Sequence, residues 1–434
     1  MIKLIYGFLL LTQFIFIVAR PPTLFGLAIS VYTIAFWAAS LDFFFVANYS
    51  FTNYLFVAFS LFAVYMHCRR EGASDIFKLG AATYCFLGLY AFSWFSALWS
   101  IDPQLTISKQ TDAAPRLIAF AMLVPLVFST PRRSHIGLLF ALALGSVVAW
   151  LYFTFAYTSG RFIITAGGVE RIGNPLAVAS LGGSIAILAS MLTIPKVGFF
   201  LIPVRIILIV MGMSLIVYVD TRGQLLAALG AIFIASPFAY GGRNWKALFQ
   251  KVFLPIIFLV PVLYVVVEVT QSKERFNLTT LHETYQSSRL VFAEDALDFW
   301  SSQGPIAFFV GIGSSGCTSP QVLGTYPHLV AVEVLVELGL IGFALWLTAL
   351  ILGALAAIRL LRKFIDDPVS RSVLAAIIGL TLFNFALTFK QGTVFTNVEL
   401  WMCIIILSRL DAISRANPNS PIAAPPQPLH RGQF

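Results

Sequence analysis

The stretch Gly324–Gly342, GTYPHLVAVEVLVELGLIG, decides how the chain is read. A histidine follows a proline at its start, and glutamates stand at 333 and 337 before the sequence turns wholly apolar. An ionisable group at mid-membrane costs about 2.5–3.5 kcal/mol on insertion scales, so charge in such a run marks a task. The location of the run has to be settled before the task.

The chain has 434 residues, of which 59% are hydrophobic and 11% charged. Its mean hydropathy of +0.88 excludes an ordinary soluble domain. A bilayer core takes roughly 20 apolar residues per helix, and apolar runs of that order recur along almost the whole length. Open backbone cannot cross lipid unpaired, so the expected fold is an all-α polytopic membrane protein. Thirteen apolar stretches can be marked, the first two at 4–18 and 23–40 and the later ones at 252–268, 329–357, 372–388 and 395–408. Arg20-Pro21-Pro22 interrupts the first pair, and twelve crossings, at most thirteen, are expected. The segment FIVARPP lacks a small-x-small cleavage pattern, so the start reads as a membrane anchor. The layout predicts an N-terminal transmembrane bundle over 1–268, a loop domain over 269–328, C-terminal transmembrane helices over 329–410 and a disordered tail over 411–434.

Basic residues fall in alternate gaps, among them Arg69, Arg70, Arg132, Arg133, Arg243, Arg359, Arg362 and Arg409, and the side that collects them is expected to be cytoplasmic. The net charge of +9 is then a topogenic signal, and nucleic acid is not needed as a partner. The opposite side keeps Lys109, Arg116, Arg161, Arg171, Arg222, Lys273, Arg275, Arg289 and Lys390. As exceptions to the rule, these carry information. The long loop also holds a run, Ser287 to Ser301, with Leu290, Ala293, Leu297 and Trp300 at helical spacing, which predicts a short amphipathic helix on the membrane surface. The GIGSSG that follows reads as a turn rather than a phosphate loop. Cys317 is the one cysteine of four in that loop, so no disulfide framework is available there.

His328 stands where the loop re-enters the membrane, and an imidazole there can take a proton from a hydroxyl. The plainer alternative is a helix-start histidine satisfied by backbone. Arg222, in YVDTRGQLL, can hold a phosphate through paired donors, or simply pair with Asp220 at a turn. Arg289 has the same phosphate reading, against a solvated helix face. Arg161 and Arg171 flank FIITAGGVE, which reads as a loop. Glu294, Asp295 and Asp298 share a helix but lack a His or Cys arrangement nearby, so a hydrated acidic face is expected there and no metal site. With no Walker, HExxH or Gly-x-Ser-x-Gly motif, chemistry is expected to run without bound nucleotide, metal or other cofactor.

Taken together these pieces resemble the O-antigen ligase and polymerase superfamily of bacterial inner-membrane glycosyltransferases. The family pattern is an Arg-bearing helix, a Gly-x-Gly turn, then His-Asn with Glu at five and nine residues and Gly at eleven. Arg289, Gly311 to Gly313, His328, Glu333, Glu337 and Gly339 fall at that spacing, and Thr221 to Gly223 matches an arginine-glycine at the mouth of a crossing. Leu329 stands where the pattern has asparagine. The resemblance covers residues 205–345 at motif level. It implies a GT-C-like bundle in a Gram-negative inner membrane, with an active site facing the periplasm. It implies an undecaprenyl-diphosphate-linked O-antigen as donor and lipid A-core as acceptor. By the same likeness His328 is the general base, while Arg222 and Arg289 hold the donor diphosphate, with Arg116, Arg161 and Arg171 next in line. Glu333 and Glu337 orient an arginine, cap the outer cavity or pack helices. One main outside loop favours the ligase branch over the polymerase branch. A flippase of lipid-linked sugars, a different class, shares the apolar build.

Overall fold

The computed structural model describes residues 2–31, 49–158, 161–166, 169–172, 175–193, 201–219, 221–241 and 289–416. In chain order the helices are α1 (Ile2–Ala19), α2 (Tyr49–Glu71), α3 (Ala81–Phe95), α4 (Pro103–Arg116) and α5 (Pro131–Leu151). They continue with α6 (Pro175–Met191), α7 (Leu201–Tyr218), α8 (Arg222–Tyr240), α9 (Arg289–Ser302), α10 (Pro305–Val310), α11 (Val330–Lys363), α12 (Pro368–Leu387) and α13 (Val398–Ala416). Among the described residues, five helical segments are long and apolar enough to cross a membrane: Ala81–Leu98, Pro131–Thr154, Arg222–Tyr240, Val330–Lys363 and Pro368–Leu387. Phe8–Ala19, Pro175–Met191 and Ile202–Tyr218 are apolar but shorter. The expected crossing at 252–268 lies outside the described residues, as do 269–288 of the loop and 417–434 of the expected tail, while its first residues, 411–416, complete α13 instead.

Several helix starts were written into the sequence. Asp102-Pro103, Thr130-Pro131 and Asp367-Pro368 each put proline in the first turn, where its missing N–H costs nothing, behind a side chain able to cap. Asp102 accepts from Leu105 N–H at 3.0 Å, Thr130 from Arg133 N–H at 3.3 Å and Asp367 from Val369 N–H at 3.1 Å. Arg20-Pro21-Pro22 does break the first apolar region, with α1 ending at Ala19 and a tight turn over Pro21–Thr23.

The bundle packs through small residues as well as large ones. A Cβ on Gly182 of α6 would lie 2.4 Å from the carbonyl oxygen of Gly212 in α7, so the two backbones approach as glycine alone permits. At one end of α13, Arg409 is fully buried and donates to the carbonyls of Ile76 at 2.9 Å and Leu126 at 3.2 Å. Nearby, Arg359 of α11 donates to Asp411 at 2.8 Å. The start of α11 marks the opposite end, where His328 and the Gly-rich turn sit.

Two expectations need amendment. The segment carrying Arg161 and Arg171 is an antiparallel three-stranded meander, β1 (Tyr157–Thr158), β2 (Arg161–Ala166) and β3 (Val169–Ile172), with Ile164 opposite Arg171. Its Phe-Ile-Ile-Thr and Val-Glu-Arg-Ile runs are rich in β-branched and aromatic residues, which suit a pleated strand better than a loop. The described chain is overwhelmingly helical, as expected, with this one small sheet beside the helices. The predicted loop helix exists as α9, but its inward face is Ala293, Ala296 and Trp300, while Leu290 is exposed. The face is set by packing against the Gly-rich turn and α11.

Candidate functional site

Four pieces of chain meet at this end: the start of α11, the start of α8, the turn 388–397 between α12 and α13, and the Gly-rich turn 311–317. The last is the best defined. Gly311 and Gly313 have φ of 76° and 96°, and Gly339 has φ of 65°. These are left-handed conformations that favour glycine. A Cβ on Gly311 would lie 2.2 Å from the Glu337 carbonyl oxygen, and one on Gly339 would lie 2.3 Å from the Phe309 carbonyl oxygen. The two glycines thus let the backbone of the turn lie directly on α11, which kinks at Gly339.

Glu337 closes this junction. Its carboxylate accepts from Ser315 N–H at 2.6 Å and Cys317 N–H at 3.2 Å, and its carbonyl accepts from Gly313 N–H at 2.9 Å. The other side of the turn is held by the segment between α3 and α4. Ile101 N–H donates to the Ile312 carbonyl at 3.0 Å, the Thr106 hydroxyl to the Ser314 carbonyl at 2.6 Å, and Gln110 to the Ser314 hydroxyl at 2.7 Å. Burial, reinforced by the Glu337 and Glu333 carboxylates, pushes the Cys317 thiol well up, so it stays protonated and inert.

Glu333, one turn earlier on the same face, performs the matching task on the turn 388–397. Its Oε1 accepts from Val394 N–H at 3.1 Å, while its buried Oε2 has no hydrogen-bond partner among the described residues. Arg116 donates to the Thr396 carbonyl of the same turn at 2.6 Å. Val330 N–H donates to the Thr388 carbonyl at 3.0 Å. Leu329 occupies the cap position of α11 with no side-chain cap, where an asparagine would be well placed to bond the first-turn amides. Part of that work is done here by Thr388.

His328 is half-buried with φ of 60°. Its ring centroid is 4.1 Å from that of Tyr326 and 6.1 Å from that of Phe292 on α9. A non-glycine residue in the left-handed region is uncommon, and such strain concentrates at functional positions. Arg289 opens α9 one helical turn before Phe292, which brings the two sequence-predicted residues His328 and Arg289 onto adjoining elements. The side chains of Arg289, Arg161 and Arg171 lie outside the described residues, as does Asp220.

Arg222, half-buried, is the first residue of α8. The start of α8 is tied to the turn 388–397 by Gln224, which is fully buried and donates to Gln391 at 3.3 Å and to the Leu176 carbonyl at 2.9 Å. Next to this bond, the Lys390 side chain crosses Gly223: a Cβ there would lie 2.6 Å from Lys390 Cδ. In the sequence Lys390 stands out only as a cation on the unexpected side, and Gln224 carries no signal of its own.

The two glutamates therefore take backbone amides as partners. Glu294, Asp295 and Asp298 are exposed along α9. Among the described residues no group of three or more His, Cys, Asp or Glu side chains is placed to hold a metal ion. What this end of the bundle offers is Arg222 in the first turn of α8, the Lys390 chain across Gly223 and an imidazole at the start of α11. No family model matches the chain, and no curated protein matches its sequence.

Proposed function

We propose that the chain is a glycosyltransferase of the O-antigen ligase type, moving glycan from undecaprenyl diphosphate to a sugar hydroxyl of lipid A-core. The observation that carries this reading is the interlock of Gly311, Gly313, Glu337 and Gly339: the spaced residues on which the resemblance rests form one physical unit at the base of the segment bearing His328. A chance spacing would have no reason to fit together. In this reading the chain crosses the inner membrane about twelve times, and the end with His328 faces the periplasm.

The donor diphosphate lies against Arg222 and Arg289. His328 accepts the proton of an acceptor hydroxyl, the oxygen attacks the anomeric carbon from the face opposite the diphosphate, and the carbon–oxygen bond to that diphosphate breaks with inversion. Negative charge grows on the leaving group, and fixed guanidinium groups stabilise it without reorganisation. Reconstitution with purified lipid-linked glycan and lipid A-core tests the reading, the expected product being core-linked glycan with undecaprenyl diphosphate released. Longer lipid-linked glycan instead would identify a polymerase, and movement of the donor across the bilayer with its sugar–phosphate bond intact would identify a flippase.

Arg222→Ala is expected to slow transfer by about 10- to 100-fold, the worth of one charge-assisted hydrogen-bonding group. Arg222→Lys is expected to recover little of it, because an ammonium lacks the planar fork. Wild-type rates in a well-inserted Arg222→Ala protein would move the diphosphate elsewhere.

A further inference from the structure

The short helix α10 carries an apolar outer side. Ile306 is 77% exposed, Phe309 54% and Phe308 41%. No Asp, Glu, Lys or Arg stands between Asp298 and Glu333, so α10 lies within a charge-free stretch. Just before it, α9 has the opposite character: Glu294, Asp295 and Asp298 are exposed, while Ala293, Ala296 and Trp300 turn inward. Single exposed apolar side chains need no explanation, whereas three within four positions on a chargeless helix do.

Two rulers give the height of α10 in the membrane. Along α11 the uncharged run from Leu338 to Ile358 has 21 residues, bounded by Glu337 and Arg359. At about 1.5 Å per residue it spans about 32 Å, which matches a hydrocarbon core of roughly 30 Å. Its edge nearer His328 is therefore at Gly339, and there the end of α10 rests on α11: a Cβ on Gly339 would stand 2.3 Å from the Phe309 carbonyl oxygen. The second ruler is Ala81–Leu98, apolar and long enough to cross. Trp99, the residue after it, donates its indole N–H to the Val310 carbonyl at 3.2 Å. Both place α10 at one boundary, where the exposed Leu98 ends its span.

The helix cannot turn over. Trp300 holds the Ala307 carbonyl at 2.8 Å, Trp99 holds that of Val310, and the chain runs on into Gly311, pressed against the Glu337 carbonyl. Phe308 stacks on Trp300 with ring centroids 5.1 Å apart, which leaves Ile306 and Phe309 on the free side. Large apolar and aromatic side chains at this depth meet the boundary between headgroups and acyl chains, where they are favoured.

We infer that α10 is an interfacial element of the membrane, with the Ile306–Phe309 face immersed in the leaflet at the His328 end. Part of the expected loop domain is then lipid-bound, and the membrane-surface role that the sequence suggests for α9 passes to α10. Nothing in this depends on the reaction the chain performs. For the candidate site it sets a height. Val330, where α11 begins, is nine residues before Gly339 and so stands up to about 14 Å above the hydrocarbon edge, a distance that α10 pins through the contact of Gly311 with Glu337.

The test is the depth of a nitroxide on the full chain in nanodiscs, read as collision with oxygen, which concentrates in lipid, against collision with a water-soluble nickel chelate. Labels go on Ile306→Cys, Phe309→Cys and Asp298→Cys in a Cys68→Ser, Cys85→Ser background, since Cys317 and Cys403 are buried. Melting temperature is recorded for each. The labels at 306 and 309 are expected to favour oxygen several-fold, while the label at 298 favours the chelate. Ile306 is the most exposed of the three apolar residues and gives up little packing, so it decides the matter even where Phe309→Cys destabilises. Chelate access at 306 equal to that at 298 would place the face in water and overturn the inference. Shielding of 306 from both reagents would overturn it as well, because protein, such as a second copy of the chain, would then cover the face.

Discussion

His328→Ala is expected to bind lipid-linked donor as wild type does and to lose roughly 10²- to 10⁴-fold in single-turnover transfer, the usual size of general-base assistance. The backbone provides a sharper version of the experiment. At φ of 60° the residue occupies a conformation that glycine adopts freely and other residues adopt at a cost of about 1–2 kcal/mol. His328→Gly therefore relieves strain while removing the imidazole. A histidine kept for structure would give variants that melt lower, through the lost ring contacts, and still transfer at the wild-type rate. A general base gives a glycine variant that melts no lower and transfers hundreds of times more slowly. The ring's neighbours do not confuse the comparison, since Tyr326 and Phe292 remain in both variants. Unimpaired transfer in both would remove His328 from the mechanism.

What the sequence conveyed depended on how far apart the partners lie. Proline-and-cap starts of α4, α5 and α12 involve neighbours within three residues, so they are local signals, though the apolar runs alone do not give them. The spacing of Glu333, Glu337 and Gly339 was visible, but their partners were not. Glu337 bonds Ser315 and Cys317 across the loop, and Glu333 bonds Val394 on a turn after the next helix. Nothing in a helical period names such partners, so orienting an arginine stood beside helix packing as an equal reading. Lys390 was visible only as a cation on an unexpected side, because the Gly223 it lies against stands far away in sequence. Leu290 went wrong for the converse reason: a helical period fixes which residues share a face, while the inward direction is chosen by whatever packs against it. The small sheet was missed because short strands between apolar helices carry too few residues to show their alternation.

The second large effect concerns Gly339. Two costs coincide there. A side chain at φ of 65° is strained by about 1–2 kcal/mol, and a Cβ would meet the Phe309 carbonyl oxygen at 2.3 Å and Gly311 N at 2.6 Å. Overpacking of a close contact adds about 1–3 kcal/mol, so Gly339→Ala is expected to cost about 2–5 kcal/mol, a large part of the 5–15 kcal/mol that holds most domains together. The contact cannot be relieved by rotating a side chain, since both obstacles are backbone. Nor can the turn retreat easily. Gly311 is pressed against the Glu337 carbonyl from the other direction, and the turn is bonded behind to Ile101, Thr106 and Gln110. Separating the two strands of backbone would also strip Glu337 from Ser315 and Cys317, leaving a buried carboxylate without its donors. Gly230→Ala in α8 is the control, because nothing lies within 4 Å of a Cβ there. In a helix that replacement is expected to be neutral or to stabilise by about 0.4–1 kcal/mol. Thermal melting of the two variants in detergent decides the matter. A Gly339→Ala protein that melts with wild type would mean that the turn does not rest on α11, and the interlock that supports the transferase reading would go with it.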